Sequence, residues 1–571
     1  MSDQFQVTGK NAKALFTLKL HRGEGMLLVA MNWKKGKPPQ DFVGFAIEYK
    51  EPQGQKFFAL KNRLAFPGLD GSVNPNQMST RLSPIQKFRW VHFPRNAELA
   101  GDFTYSVTPV FMNDKDVLSY GEPQQAAIAL RRETYPGKLN VAFTRGFVSS
   151  QAFVDKYGAA AIPKLLPAKA DAGLEFVPSL AQAADALTWM GFEARSAILE
   201  VLDQGVADSK AQVRLVVYDF NLPEILSRLK NTKLKGRVKV IIDDSGDHGA
   251  KTSAETSAFN QLSALIGAEN IKRQHMGNLQ HNKMVVVQGP KTNAAVVGST
   301  NHSWRGFFVQ NNNAIVLNGK DAVKLCMQAF DNYFAHDDVA GFSGTDSAVW
   351  NDLKLKGIDA QINFSPRSDK NAVLQSIGDD VARTTSSLFF SLAFLYQTKG
   401  PIRDAIKKLQ QEDKIFSYGI SDREVGGLDV ATPDGKVVLV EPQALSKNLP
   451  QPFKAEPTGG GGVRLHHKFV VIDFDQPAAR VYMGSFNFSG VADTSNGENL
   501  LLIRNRRVAT SYMIEAVRLF DHYEFRDAQA AAKSARKPLQ LQKPPRQPGE
   551  QAWFDEDYTN ARKIKDRELF S

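Results

Sequence analysis

The sequence predicts an α/β protein in which two pseudo-repeated α/β lobes pack around one site, preceded by an all-β sandwich domain. Short alternating apolar and polar runs fill the first part of the chain, helices and strands alternate afterwards, and the order of those elements then recurs. The expected domains are a β-sandwich (1–133), a first lobe (134–345), a second lobe (346–525) and a basic, proline-containing extended tail (526–571).

The β-sandwich prediction depends on several short strand-like runs with turn residues between them. Residues 26–31, 42–49, 103–110 and 126–130 are such runs, and no long stretch of helical period interrupts them. The Tyr-x-Val-x-Pro-Val piece within 103–110 resembles the penultimate strand of a fibronectin type III or immunoglobulin-like module.

The lobe prediction depends on a repeated order of strand, helix and strand. In the first lobe a strand at 213–218 precedes a helix that starts at Pro223, and a second strand follows at 238–242. In the second lobe the strand at 387–392 precedes a helix that starts at Pro401. Because the strands are continuous apolar runs, we expect a mostly parallel sheet that is covered by helices on both faces.

One unusual pattern occurs once in each lobe. In the first lobe, His281 and Lys283 precede the apolar run 284–287, and a Gly-Ser-x-Asn turn with Ser299 and Asn301 follows. Residues two apart on a strand point to the same side, so the imidazole and the ammonium group are presented together. A single His-x-Lys would mean little, but the complete pattern is specific when it occurs twice.

The second copy has nearly the same spacing. His466 and Lys468 precede the apolar run 469–472, and the turn that follows contains Ser485 and Asn487. We therefore expect each lobe to supply half of one site, with two imidazoles facing a single anion.

These residue types suit the cleavage of a phosphodiester. Its non-bridging oxygens share a negative charge, so catalysis needs cations and hydrogen-bond donors aimed at them. One imidazole can attack phosphorus while the other protonates the leaving oxygen. The lysines supply charge, the asparagines amide donors and the serines phosphate-binding hydroxyls, and we expect neither a metal nor another cofactor. The candidates are His281, Lys283, Asn301, His466, Lys468, Asn487, Ser299 and Ser485.

The paired pattern resembles the phospholipase D superfamily, whose motif is His-x-Lys-x4-Asp followed by Gly-Ser-x-Asn. The resemblance covers residues 140–525, and Asp473 completes the motif in the second copy, whereas Gln288 stands in its place in the first. It implies a covalent phosphohistidine intermediate, hydrolysis or transfer to an alcohol, two lobes around one site, and a structural supporting role for Asp473 and Gln288.

A polar residue at the same distance beyond each turn differs between the copies. Glu498 follows the second turn and Asn312 the first. A carboxylate behind an imidazole raises its pKa, which suits a proton donor, whereas an amide orients the ring without favouring its protonation. We therefore expect Asn312 to support His281 as the nucleophile and Glu498 to support His466 as the acid. The tyrosyl-DNA phosphodiesterase branch of the family has a similar asymmetry.

Net charge, cysteine content and apolar runs indicate which partners and which cellular compartment to expect. With 71 Lys and Arg against 60 Asp and Glu, the net charge of +11 favours anionic partners such as nucleic acid or an anionic membrane surface, contacted peripherally. Cys326 is the single cysteine, so no intrachain disulfide forms. No apolar run is long enough to span a membrane and no signal sequence is evident, so we expect a cytoplasmic protein, or one exported without a cleavable signal peptide.

Three functions follow from these observations. The preferred one is phospholipase D-type hydrolysis of glycerophospholipids, because both motifs lie in one chain and phenylalanines surround the turns at 304–308 and 486–488. The first alternative is a metal-independent nuclease acting on DNA or RNA. The second is a catalytically degenerate protein that binds its partner through the β-sandwich. The four-glycine run 459–462, just before His466, is read as a linker or as a flap beside the site.

Overall fold

The computed structural model describes residues 4–68, 77–146, 153, 156–395, 398–412, 414–421 and 465–571. Of the side chains in the helix Arg506–Ser534, those at positions 523, 526, 527, 530 and 533 are not described. The glycine run 459–462 lies outside these ranges. The fold is mixed α/β with several sheets. Within the described ranges, no helix combines the length and apolarity needed to cross a bilayer.

The N-terminal part forms two antiparallel sheets that share one apolar core. Phe16 in one sheet and Phe45 in the other are fully buried, with ring centroids 5.1 Å apart. The sheets have the orders β1-β2-β3-β6 and β5-β4-β7-β8, with β9 also paired to β7. The strands are β1 (Gln6–Thr8), β2 (Phe16–Gly23), β3 (Met26–Trp33), β4 (Phe42–Lys50), β5 (Phe58–Ala59), β6 (Arg89–His92), β7 (Asp102–Met112), β8 (Leu118–Tyr120) and β9 (Gln124–Ala129).

A seven-stranded sheet follows, with strands in the order β10-β16-β15-β14-β11-β12-β13. Both faces are buried, which explains the continuous apolar runs. Its strands are β10 (Leu139–Phe143), β11 (Gln212–Val217), β12 (Val238–Asp243), β13 (Ile271–Gln274), β14 (Met284–Gln288), β15 (Asn293–Gly298) and β16 (Asn313–Asn318). The helices in this part are α1 (Ile162–Leu165), α2 (Ala183–Ala207), α3 (Pro223–Leu229), α4 (Ala254–Ile266), α5 (Trp304–Phe308), α6 (Lys320–Ala335) and α7 (Val339–Ser343).

A second seven-stranded sheet has the order β17-β18-β23-β22-β21-β19-β20. Its strands are β17 (Asn351–Asp352), β18 (Asp359–Ser365), β19 (Ser387–Leu392), β20 (Phe416–Ile420), β21 (Lys468–Ile472), β22 (Arg480–Gly484) and β23 (Glu498–Arg504). The helices in this part are α8 (Leu374–Ala382), α9 (Pro401–Glu412), α10 (Gly490–Thr494) and α11 (Arg506–Ser534).

The two large sheets share one strand order over six strands. From β10 to β12, the first sheet follows the same path as the second does from β18 to β20. The expected mostly parallel sheet is wrong, because only β11–β12, β12–β13 and β19–β20 pair in parallel among the described strands of these sheets. Each motif strand instead forms an antiparallel hairpin with the next strand, which brings its Gly-Ser-x-Asn turn back beside its histidine.

One continuous core lies between the large sheets. It combines Val286 of β14 and Val471 of β21 with Phe330 of α6 and Val517 of α11, all of them fully buried. The outer faces are covered separately, by α2 to α5 on the first sheet and by α8 to α10 on the second. The inner faces of the sheets therefore point towards each other, with α6 and α11 packed in the same core.

The expected extended tail at 526–571 is only partly extended. Helix α11 continues to Ser534, and two further helices, α12 (Glu556–Thr559) and α13 (Ala561–Phe570), end the chain. Phe554 is fully buried in the core of the N-terminal sheets, and Phe570 is buried in the core between the large sheets. Aromatic side chains thus dock this segment onto the body, in spite of its basic and proline-rich composition.

Candidate active site

The two motif histidines meet where the large sheets face each other. His281 lies just before β14 and His466 just before β21, and both are nearly buried, at 4% and 5% exposed. Their ring centroids are 6.2 Å apart, with an angle of 65° between the rings. Two imidazoles from distant parts of the chain therefore line one small site, which is the arrangement that the repeated motif predicts.

Each histidine is supported by a residue from the other half of the chain. Nδ1 of His281 lies 2.8 Å from a carboxylate oxygen of Glu498, and Nδ1 of His466 lies 2.8 Å from Oδ1 of Asn312. The expected pairing, in which Glu498 supports His466 and Asn312 supports His281, is wrong. The carboxylate belongs to His281.

Backbone pairing between the halves explains the crossing. Gln280 forms a parallel bridge with Gly497, and Asn311 forms a parallel bridge with Leu465. Gln280, which precedes His281, is thus paired with the residue before Glu498. Leu465, which precedes His466, is paired with the residue before Asn312. The backbone N–H of His466 also donates to the carbonyl of Asn311 at 3.2 Å.

The orientation of Asn312 follows from its other contacts. Its amide nitrogen donates to the carbonyl oxygen of Gly306 at 2.9 Å, so its oxygen faces His466 and Ser299. An amide oxygen only accepts, so Nδ1 of His466 carries a proton and donates it. The same reasoning places a proton on Nδ1 of His281, because its partner Glu498 is a carboxylate. In the neutral state both rings then present the lone pair of Nε2.

The two serines of the turns orient these supporting residues. The hydroxyl of Ser485 donates to Glu498 at 2.6 Å, and that of Ser299 donates to Asn312 at 3.0 Å. Each hydroxyl also accepts a backbone N–H, from Asn499 and Asn313 respectively. Since the hydroxyls are engaged here, we reassign Ser299 and Ser485 from the expected phosphate binding to support of the histidines.

Both motif lysines are buried beside the histidines. Nζ of Lys283 donates to the carbonyl of His281, and Nζ of Lys468 donates to the carbonyl of His466 at 2.7 Å. Burial lowers the pKa of Lys283 to about 7. Burial, followed by repulsion from Lys283, also lowers the pKa of Lys468 well below its ordinary value. Burial thus disfavours the charged form of both lysines, and a bound anion would favour it, which makes this site suited to a phosphate.

The same desolvation acts on the imidazoles. Burial lowers the pKa of His281 to about 4, although Glu498 opposes that shift. Burial and the charge of Lys468 lower the pKa of His466 well below its ordinary value. Burial disfavours the charged form of Glu498, but His281 and Lys283 outweigh it and hold the pKa of this carboxyl below its usual range. At neutral pH the site therefore holds neutral imidazoles and an ionised Glu498.

The motif asparagines differ in their surroundings. The amide nitrogen of Asn301 donates to a carboxylate oxygen of Asp219 at 2.8 Å. The side-chain oxygens of Asn301 and Asn487 are both buried and have no hydrogen-bond partner among the described residues. Each asparagine therefore has an unused hydrogen-bond acceptor.

Residues after β11 and β12 join the site, and sequence reasoning assigned them no role or only a weak one. Asp219 accepts from Nε2 of His248 at 3.1 Å, and Nδ1 of the same ring lies 2.8 Å from Asp243. The ring of Tyr218 lies 4.8 Å from that of His281, and Nζ of Lys283 lies 4.6 Å from its centre. The sequence marks these residues only by their position. Each of them ends or follows a strand at the edge of the sheet where α/β proteins commonly carry functional residues.

Asp473 lies at the far end of its strand from the histidine. Its carboxylate accepts backbone N–H groups from Thr385, Ser386 and Ser387, just before and at the start of β19. In the first half, Gln288 ends β14, and Asp208 instead accepts the N–H groups of the following turn at Lys291 and Thr292. A carboxylate clamp between neighbouring strands is thus present in both halves, supplied from different positions.

The aromatic residues near the turns are core residues. Trp304, Phe307 and Phe308 pack on the outer face of the first sheet, and Phe486 and Phe488 pack on that of the second. They do not form the apolar wall for acyl chains on which the lipid hypothesis partly depended. Among the described residues, no group of three or more His, Cys, Asp or Glu side chains is arranged to hold a metal ion.

A site built from two His-x-Lys pairs at the junction of two similar α/β sheets defines a class of proteins that act on phosphate esters. Residues 202–334 match the family model described as cardiolipin synthase, PLD-like domain. This match confirms the assignment to the phospholipase D superfamily that the two motifs predicted. A search of curated proteins returned no significant match.

Solved structures show distant likenesses. Phosphatidylserine synthase from Haemophilus influenzae Rd KW20 is 12% identical, with 61% of this chain and 92% of that chain covered and a TM-score of 0.41. The phospholipase D family member Nuc from Salmonella typhimurium is 20% identical, with coverage of 30% and 95% and a TM-score of 0.18.

A polyphosphate kinase from Porphyromonas gingivalis is 10% identical over 54% of this chain, with a TM-score of 0.35. The present chain spans 42% of the length of that kinase. At such TM-scores these likenesses add nothing to what the family model shows.

Proposed function

We propose that this protein is a phosphodiesterase that works through a covalent phosphohistidine. The observation that carries the proposal is the pair of facing imidazoles, 6.2 Å apart between ring centroids, with a buried lysine beside each. Attack and protonation must occur on opposite sides of one phosphorus atom, and two rings from opposing sheets suit those two tasks.

In this proposal His281 is the nucleophile, as expected from the sequence, but for a different reason. Attack by Nε2 forms a bond to phosphorus and makes the ring cationic, because Nδ1 keeps its proton. The carboxylate of Glu498, 2.8 Å from Nδ1, stabilises that positive charge. The P–O bond to the leaving alcohol breaks as the N–P bond forms.

His466 then serves as the acid. It donates the Nε2 proton to the leaving oxygen, and its neutral partner Asn312 holds the ring without stabilising the imidazolium. The negative charge of the bound diester supplies the stabilisation that lets His466 carry this proton. In the second step neutral His466 takes a proton from water, the resulting hydroxide attacks phosphorus, and the N–P bond to His281 breaks.

The non-bridging oxygens are assigned to the lysines and asparagines of the motifs. Lys283 and Lys468 supply charge, and Asn487 and the second N–H of the Asn301 amide, whose first N–H donates to Asp219, supply donors. An alcohol in place of water would give transfer instead of hydrolysis. The chemistry at His281 is the same in both cases.

Glycerophospholipids remain the proposed substrates. The description of the matched family, a cardiolipin synthase with a phospholipase D-like domain, supports a lipid, and the net charge of +11 suits a peripheral contact with an anionic membrane. The same charge favours the alternative, a metal-independent nuclease that acts on DNA or RNA. The degenerate binding protein loses support, since Asn312 supports His466 just as Glu498 supports His281.

At the level of the fold, we propose that the two large sheets are the pseudo-repeated lobes of the superfamily. Their shared order of six strands and the crossed supports of the two histidines favour this. The shared core of the two N-terminal sheets likewise favours a β-sandwich.

The chemistry is tested by trapping the intermediate. Acid-sensitive phosphohistidine is preserved by quenching in base, and mass spectrometry then locates the modified residue. We expect an adduct on His281, none in His281→Ala, and a slowly hydrolysed adduct in His466→Asn. An adduct on His466 would reverse the two roles, and the absence of turnover on every diester tested would favour the binding protein.

The substrate class is tested in parallel with the same preparations. Vesicles that contain phosphatidylcholine and phosphatidylethanolamine, and supercoiled plasmid, are incubated with the wild type and with His281→Ala, and the latter controls for contaminating enzymes. Release of headgroup that depends on His281 supports the lipid proposal. Cleavage of plasmid alone would replace it with the nuclease.

A further inference from the structure

A partly exposed carboxylate, that of Asp219, lies at the edge of the site that the two histidines line. Asp219 follows β11, and 22% of its side chain is exposed, whereas the site's histidines are nearly buried. It accepts one hydrogen bond from Asn301 and one from His248. A carboxylate oxygen can accept more than one bond, so Asp219 retains free acceptor capacity.

His248 holds this carboxylate in place and in its ionised form. Nε2 of the ring is 3.1 Å from Asp219, Nδ1 is 2.8 Å from Asp243, and Glu255 is 4.0 Å away. Burial opposes protonation of the ring, but the bonds to the two aspartates raise its pKa to about 10. Burial likewise opposes ionisation of Asp219, yet the bond from His248 lowers the pKa of that carboxyl to about 2.

Among the described residues, the second half of the site has no carboxylate at the position that matches Asp219. Asp219 lies three residues beyond Val216, which pairs with the residue after Lys283. The matching position in β19 lies three residues beyond Ser391, which pairs with the residue after Lys468, and there the chain has Phe394. A carboxylate is therefore not required to build a Gly-Ser-x-Asn turn of this kind, since the second turn is formed with phenylalanine at that place.

A second acceptor lies beside Asp219. Asn301 is 2% exposed, and the same amide that donates to Asp219 leaves its oxygen without a partner among the described residues. A buried acceptor without a donor is costly unless a ligand supplies one. The carboxylate of Asp219 and the amide oxygen of Asn301 thus form a pair of neighbouring acceptors at the site.

We propose that Asp219 and the side-chain oxygen of Asn301 form a subsite for a primary ammonium group attached close to the scissile phosphate. The inference rests on the proposed function and adds a preference to it: the substrate is the phosphodiester of a small amino alcohol. Such a molecule has an anionic phosphate for Lys283 and Lys468 and a cation for Asp219.

The number of donors distinguishes an ammonium group from other headgroups. A primary ammonium has three N–H donors and a positive charge, so it can satisfy Asp219 and Asn301 together. A hydroxyl has one donor and no charge. A trimethylammonium has charge but no donor, and an unsubstituted alkyl group has neither.

The test measures binding of small phosphate monoesters by calorimetry, which does not depend on turnover. The probes are phosphoethanolamine, phosphocholine and ethyl phosphate, with the wild type, Asp219→Asn and the control Asp321→Asn, which changes an exposed aspartate on α6. We expect the wild type and the control to bind phosphoethanolamine about tenfold more tightly than ethyl phosphate or phosphocholine. In Asp219→Asn that ratio should fall to about one.

The opposite results are equally clear. Equal binding of the three probes by the wild type overturns the subsite, and so does a preference that survives in Asp219→Asn. If the wild type cleaves diesters through His281 but shows no ammonium preference, only this inference fails. If it neither binds these esters nor cleaves any diester, the proposed function fails as well.

Discussion

Glu498 hydrogen-bonds to His281 across the junction of the two large sheets, with 2.8 Å between Oε2 and Nδ1. The nucleophile and its supporting carboxylate therefore come from different halves of the chain. Both residues are buried, at 0% and 4% exposed, so the contact is protected from water and its loss is not compensated by solvent.

Removing the charge of Glu498 tests its role in the first step. Glu498→Gln keeps the size of the side chain but no longer stabilises a cationic ring, so we expect formation of the adduct to slow about a hundredfold. Rapid-quench measurement of the adduct checks this. The matched control is Asn312→Gln, which lengthens the amide behind His466 without altering charge; an equal loss in both variants would indicate a merely structural role.

The pH dependence of kcat/KM follows from the pKa values of His281 and Lys283. His281 attacks only when neutral, and with its pKa of about 4 activity should be lost as the pH falls through that value. Lys283 binds the anion only when charged, and with its pKa of about 7 activity should be lost as the pH rises through that value. A bell between these limits is expected.

The variant Lys283→Arg tests which group causes the loss of activity at high pH. Lys283→Arg places a cation there that remains charged at all accessible pH values, so the alkaline limb should move upward even if the maximal rate is lower. A profile that stays level above pH 9 in the wild type would show that Lys283 is not the group that titrates.

Gly497 should tolerate no larger residue. A Cβ at this position would lie 2.1 Å from Oε1 of Gln280. The side chain of Gln280 is fully buried and is held in place by its Nε2, which donates to Gln274 at 2.7 Å. Gly497→Ala should therefore destabilise the fold by about 1–3 kcal/mol and displace Glu498 from His281. Thermal unfolding and activity check this, with Gly490→Ala as control, since a Cβ there meets no atom within 4 Å.

The C-terminal segment should contribute to stability through its aromatic side chains. Phe554 is fully buried against Phe42 of β4, with ring centroids 5.9 Å apart. Phe554→Ala should cost about 3–5 kcal/mol, which chemical denaturation can measure. Phe58→Ala, at a position 52% exposed in the same domain, should change stability little; equal effects would mean that the segment is not docked as described.

The motif residues could be predicted because their pattern is local and repeated. His281 and His466 each stand next to a strand whose apolar run is evident, so both were found. The partners of the two rings could not be predicted correctly. Glu498 and Asn312 follow their turns at the same distance, and spacing along the chain does not indicate which half of the site a side chain faces. That choice is made by the bridges at Gln280 and Asn311.

Other misses have equally physical causes. The strand directions were misjudged because burial on both faces produces the same apolar runs in antiparallel sheets. Asp219 has no counterpart in the second half of the chain, where Phe394 stands at the matching position, so the repeated motif does not indicate it. The prolines and basic residues of the terminal segment predict an extended tail, whereas Trp553 and Phe554 determine where the segment packs.

The docking of the chain's end onto its beginning has a consequence for biosynthesis. Strands β2 and β4 leave the ribosome early, yet the core they build includes Phe554, which is translated long afterwards. The nascent N-terminal sheets must therefore persist with an uncovered apolar surface until the segment that contains Phe554 has been translated. Chaperones that shield such surfaces would engage this chain during synthesis and leave once that segment folds back.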